Sequence, residues 1–236
     1  MKSWKTALLA GAAVFTLFAA PAQANSYNPL VQAAEEGNLA EVRALLEDDR
    51  RGYIVNYGID SRNWAGETAL HAACRYGHPG IVRYLLEKGA EVNAPDWYLV
   101  GREAAIVNSP DWHTRETPLH EACKNGNLEC IKLLVEHGAQ LDPVDSGGNT
   151  PLSNAAGKGH LDAVKYLVWK TARMDMEDVD GHTPIWMAVV NGHVPVVEFM
   201  LAAGSPVGTI DYDRLMLSQV SKNDAILAML KRRGLY

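Results

Sequence analysis

The chain has 236 residues, three of them cysteine, with a formal net charge of −6. An acidic chain without a basic block is a poor ligand for nucleic acid, whose affinity rests on neutralised phosphates, and anionic membrane surfaces are disfavoured for the same reason. An odd number of cysteines rules out a complete disulfide framework.

The N-terminus carries Lys2 and Lys5, an apolar run from Ala7 to Ala20, and then Pro21-Ala22-Gln23-Ala24. This pattern predicts a cleavable signal peptide over residues 1–24. The apolar run is too short for a comfortable membrane span, which needs about 20 residues. The expected mature chain starts near Asn25, carries a formal charge of −8, and keeps no membrane span. Its expected location is the periplasm, with secretion as the alternative.

A unit then recurs down the chain. "ETALHAACRYGHPGIVRYLLEKGAEVN" begins at Glu67, "ETPLHEACKNGNLECIKLLVEHGAQLD" at Glu116, "NTPLSNAAGKGHLDAVKYLV" at Asn149 and "HTPIWMAVVNGHVPVVEFMLAAG" at His182. Their threonines, 68, 117, 150 and 183, are separated by 49, 33 and 33 residues. Each threonine suits a helix N-cap, and Pro118, Pro151 and Pro184 suit the first helical position, where a missing N–H costs nothing. Gly77, Gly126, Gly159 and Gly192 end the first helix in the left-handed region. A second amphipathic helix follows, as in Ile81, Val82, Leu85 and Leu86, and ends at Gly89, Gly138 or Gly204.

"TPLHEACKNGN" and "TALHAACRYGH" resemble the ankyrin repeat family in their threonine-proline-leucine-histidine start and central glycine. The resemblance runs from about Asn28 to Leu230. It implies an all-α ankyrin-repeat solenoid of about six stacked helix pairs, with units near 28–60, 66–94, 115–142, 148–172, 181–207 and 213–234. The first and last are degenerate, as capping repeats are when one face meets water.

In this register His71 and His120 take a place where the family's imidazole bonds neighbouring backbone and bridges repeats. His78, His160 and His193 follow the central glycines. Equivalent positions in adjacent repeats lie about 10 Å apart, whereas zinc ligands converge within about 2 Å of one ion, so the histidines read as structural and no metal is expected. Cys74 and Cys123 are equivalent and too far apart to bridge, whereas Cys123 and Cys130 lie on two helices of one repeat. Small buried hydrophobes are the reading for all three, with a bridge from 123 to 130 as the alternative. Neither a G-x-S-x-G elbow nor a phosphate-loop glycine pattern occurs, so no catalytic residues are assigned and an enzyme is not expected.

Two loops are enlarged. Asn28 to Thr68 is seven residues longer than one repeat, and Thr117 arrives 16 residues late. That second excess, at about 97–112, is bounded by two copies of Pro-Asp-Trp and reads as a finger of two short strands. The loops gather Tyr53, Tyr57, Trp64, Trp97, Tyr98, Arg102, Trp112, His113 and Arg115, types that dominate binding hot spots. Beside them, exposed positions of the first helices form a groove that includes Arg75 and Tyr76, Lys124 and Asn125, and Lys158. Its charge is expected to run from acidic at the N-terminal end through mixed or basic to apolar at the far end.

The expected function is a non-enzymatic module that recognises one folded protein partner through finger loops and groove. It would act either as an immunity-type inhibitor of an envelope-acting toxin or enzyme, or as a protective accessory factor, and be a monomer when unbound. No cofactor is expected. The alternative is a carrier of a ligand such as haem, with His113 as axial ligand.

Overall fold

The computed structural model describes residues 28–47, 58–63, 65–96, 114–206 and 223–232. Among them are eleven helices and no strand: α1 Pro29–Glu35, α2 Leu39–Glu47, α3 Ala69–Tyr76, α4 Pro79–Glu87, α5 Pro118–Asn125, α6 Leu128–Glu136, α7 Pro151–Lys158, α8 Leu161–Trp169, α9 Pro184–Val190, α10 Val194–Ala202 and α11 Asp224–Arg232. None is long and apolar enough to cross a membrane. The expected signal peptide and both finger tips lie outside the described residues, as does the first helix expected in the last unit.

The first helices α1, α3, α5, α7 and α9 pack side by side in one row, and α2, α4, α6, α8, α10 and α11 form a second. One continuous apolar core runs between the rows from Leu30 to Leu230. This is the all-α ankyrin solenoid that the repeat register implies. Every helix is only 7 to 9 residues long, too short to be stable alone, so the helices persist through packing rather than propensity.

Local chemistry explains the helix ends. Thr68, Thr117, Thr150 and Thr183 are N-caps in extended conformation, and Gly77, Gly126 and Gly159 are left-handed C-caps. Two of those glycines meet a second constraint. A Cβ at Gly126 would lie 2.5 Å from His160 Nδ1, and one at Gly159 would lie 2.5 Å from His193 Nδ1. The imidazoles approach that closely because each bonds an end carbonyl of the preceding first helix: His78 Nε2 to Glu35 O, His160 Nε2 to Lys124 O, and His193 Nε2 to Gly157 O, each at 3.0 Å. Asn127 does the same job for the Cys74 and Arg75 carbonyls. Orphan carbonyls of one repeat are thus satisfied by the next.

His71 and His120 tie the repeats from the other end. His71 Nδ1 accepts the backbone N–H of Thr68, and Nε2 donates to the Glu116 carbonyl at 3.1 Å. His120 repeats the pattern with Thr117 and the Asn149 carbonyl. Burial lowers the His71 pKa to about 4, so the ring is neutral, as one donor and one acceptor nitrogen require. Ser153 and Trp186 hold this register position in the next two units, so the tie stops there.

Cys74, Cys123 and Cys130 are buried free thiols, and the bridge between Cys123 and Cys130 is not formed. Burial pushes the Cys130 thiol up to about 11 and raises the other two.

Replacing His71 by alanine leaves the buried Thr68 amide without its partner and takes from the Glu116 carbonyl one of its two donors, the other being the Asp96 N–H. The expected cost is about 3 kcal/mol, read as a lower urea midpoint with unchanged far-ultraviolet dichroism. A cost below about 1 kcal/mol would mean that the ring is not a structural tie.

Candidate functional site

The turns between repeats share one construction. Asp145 Oδ1 accepts the amides of Gly147 and Asn149, and Asp178 Oδ1 accepts those of Asp180 and His182. Asn63 takes this role for Ala65 and Glu67. The carboxylates of Asp178 and Asp180 and the His182 ring lie close enough to meet at one cation, but Asp178 is occupied in closing its turn, as Asp145 is.

In the enlarged turn Asp96 is the closing carboxylate. Its Oδ1 accepts the Glu116 amide, its own amide donates to the Glu116 carbonyl, and Thr114 Oγ1 donates to its Oδ2. Asp96 to Glu116 is therefore the same closure as Asp145 to Asn149, with 16 more residues between. The neighbouring turns keep their register: Ser146 N–H donates to the Thr114 carbonyl as Val179 N–H donates to that of Gly147. Where the other turns place Gly66, Gly148 and Gly181 at φ of 80°, 78° and 82°, this one has Arg115 at 55°. A residue with a Cβ is strained in that region.

A cavity of about 500 Å³ opens beside this turn, lined by residues of α3, α5 and α7 and by the turns before α3 and α5. Arg75, Lys124, Asn125 and Lys158 line it, so four residues predicted from the groove register do meet in one place. The lining also contains Glu67, Asp96, Glu116 and Glu121, which the register reading did not single out. Arg75 pairs with Glu67 and, at 2.9 Å, with Glu121, while Lys124 pairs with Glu116. Of the mixed or basic stretch expected there, two cations are paired within the chain, and the buried groups are the acids. Sequence register held a signal for this, since Glu67 and Glu116 each stand one residue before an N-cap threonine and eight before a basic residue.

Of the other predicted contacts, Tyr76 is 49% exposed and its phenol bonds Glu35, which raises its pKa. Asn125 donates to the Glu121 carbonyl. Lys158 is exposed and has no partner among the described residues. Trp186 is half-buried and stacked on His182, with ring centroids 3.5 Å apart. Tyr53, Tyr57, Trp64, Trp97, Tyr98, Arg102, Trp112 and His113 lie outside the described residues.

Burial and contact with Glu121 raise the Glu116 pKa from 4.5 to about 7, while the Arg75 guanidinium holds Glu121 down near 2. The folded chain therefore keeps a Glu116 proton that the unfolded chain releases. This contribution to stability is complete below pH 4.5 and is lost as the pH rises through 7. His71 acts in the opposite sense: its contribution is complete above 6.5 and is lost as the pH falls toward 4. With Glu116→Gln the opposing slope of that carboxyl is removed and the histidine slope is kept. Stability of that variant should rise with pH between 4.5 and 6.5 more steeply than wild type, by up to about 1.4 kcal/mol per unit, in urea titrations at three pH values. Parallel profiles would place the proton elsewhere.

A family model described as ankyrin repeats (3 copies) matches residues 6–96, 97–178 and 148–211. Among similar curated proteins, oxysterol-binding protein-related protein 1 of Homo sapiens is 43% identical over 67 residues, 27% of this chain and 7% of that protein. E3 ubiquitin-protein ligase XBAT33 of Arabidopsis thaliana is 42% identical over 88 residues, 37% of this chain and 16% of that protein. NF-kappa-B inhibitor alpha of Rattus norvegicus is 37% identical over 68 residues, 29% of this chain and 21% of that protein. The chain thus spans between 7% and 21% of the length of these relatives. Ankyrin repeats are a protein–protein interaction module, generally non-catalytic, and this chain, matched over most of its length, belongs to that family.

Proposed function

We propose that the chain is a periplasmic, non-enzymatic binding protein that grips one folded protein partner with its enlarged loops and the groove beside them. The observation that carries this is the position of the 16-residue excess: it enters and leaves one turn between Asp96 and Thr114, while the closure of that turn is intact. The described residues on either side of the excess, Asp96 and Thr114, both line the groove cavity. Aromatic residues and arginine, concentrated in the excess by sequence, supply large contact area at low entropic cost. The basic, apolar and small-residue segments at the N-terminus support export.

Within that reading, inhibition of an envelope-acting toxin or enzyme is the role we favour over protection of an exported one. A rigid array that presents loops can cover another protein's working surface without chemistry of its own. The relative named as an inhibitor shows that the family includes such a use.

Two substitutions test the reading. Trp97→Ala with Tyr98→Ala should abolish capture of the partner from a periplasmic extract, identified by mass spectrometry, with helical content and melting nearly unchanged. An unfolded variant would make those rings structural. Arg115→Gly should relieve the strained φ and stabilise the chain by about 1 kcal/mol, while weakening capture. Gain in stability with capture unchanged would remove Arg115 from the interface.

A further inference from the structure

Two sets of imidazoles tie the repeats, and a proton affects them differently. Among the described residues His78, His160 and His193 tie with Nε2 alone, which donates to a carbonyl at 3.0 Å and still donates from an imidazolium. His71 and His120 use both nitrogens. Nδ1 accepts the N-cap amide of Thr68 or Thr117, at 3.2 and 3.0 Å, while Nε2 donates to the Glu116 or Asn149 carbonyl at 3.1 Å. The N-cap hydroxyl, 2.9 Å from Nδ1, can turn its proton away and accept from the ring, but the backbone N–H can only donate. A second ring proton, at Nδ1, therefore leaves that amide without an acceptor beside a ring that is 0% exposed. The fourth unit has no such dependence: the Ser153 amide donates to the Thr150 hydroxyl, which does not titrate in acid.

We propose that His71 and His120 form an acid-released latch, whose protonation frees the root of the enlarged turn while the ties at the opposite end of the first helices hold. The root depends on both rings. His120 fixes the Asn149 carbonyl, Asn149 closes on Asp145, and the Ser146 amide of that turn donates to the Thr114 carbonyl at 2.7 Å. His71 fixes the carbonyl of Glu116, whose amide closes on Asp96 at the other side of the excess. The proton comes from solvent to the Nδ1 lone pair, and no covalent bond between heavy atoms changes. His71 is faced by Glu116 and Glu121 of the next unit and by Glu67 and Arg62 of the turn before α3. His120 is faced by Asp145 of the following turn and by Lys124 and Glu121 of its own helix α5. Glu116 takes up a proton over the same range and opposes the His71 half of the latch. Asn149 stands in that register place for His120, so the His120 half has no such counterweight.

The test is amide hydrogen exchange on the full chain, followed by nuclear magnetic resonance and corrected for the intrinsic rate at each pH. Protection of the Thr117 and Ser146 amides should fall about tenfold from pH 6.5 to about 5, and that of Thr68 by less. The amides of Ser153, His160 and His193 should keep theirs. His120→Ser, which copies the group of the fourth unit, should remove the acid response at Thr117 and Ser146. Should that variant fail to fold, ring nitrogen-15 shifts of the wild type decide: Nδ1 of His120 should gain its proton over the interval in which Thr117 loses protection. Constant protection at Thr117, an equal loss at His160 and His193, a loss that persists in His120→Ser, or a His120 ring that stays neutral while Thr117 opens would each overturn the proposal. Because exchange is read on the free chain, its failure leaves capture through Trp97 and Tyr98 standing.

Discussion

A pair of short helices cannot shelter both of its apolar faces, and everything else in this structure follows from stacking that supplies the missing cover. Leu70, Leu119, Leu152 and Ile185 hold the same register place in successive first helices, and each is essentially fully buried. Each gains its partners from the units on either side. Stacking also brings polar backbone ends into the interior, where an unsatisfied group is expensive. The histidines and asparagines that reach from one repeat to the carbonyls of the one before meet that cost, so the apolar pattern and the polar ties depend on each other.

The ties are unevenly distributed. Between the second, third and fourth units both kinds are present: His71 and His120 at one end, Asn127 and His160 at the other. Toward the C-terminus only one remains, because Ser153 bonds Thr150 and Trp186 stacks on His182. The buried Thr183 Oγ1 has no hydrogen-bond partner among the described residues. The best-braced part of the array is therefore where the 16-residue excess emerges and where the charged cavity lies. The excess starts from a turn whose hydrogen bonds match those of its unmodified neighbours.

The same region concentrates features that stability alone does not favour. Arg115 occupies a backbone position that glycine fills in the other turns, and Glu116 keeps a proton at a pH where carboxylic acids are ordinarily ionised. Strained backbone and displaced titration gather where a surface is shaped for another molecule. Here they sit within two adjacent residues, at the edge of one cavity.

Much of the architecture was legible in the residues themselves. Thr-Pro-Leu-His starts, central glycines and a spacing of 33 give the helix pairs, their caps and the family, because capping and helical periodicity are local properties that neighbouring residues specify. The location of the excess length was legible too, as a mismatch against that spacing. What only the stack decided is which side chains meet: that Arg75 lies between Glu67 and Glu121, that Asp96 closes a turn across 16 intervening residues, and that the cysteines stay apart. The Arg75–Glu121 pair and the Asp96 closure join residues from different repeats or from either side of an insertion. Their distances are set by how one unit rests on the next, and sequence spacing carries no record of that.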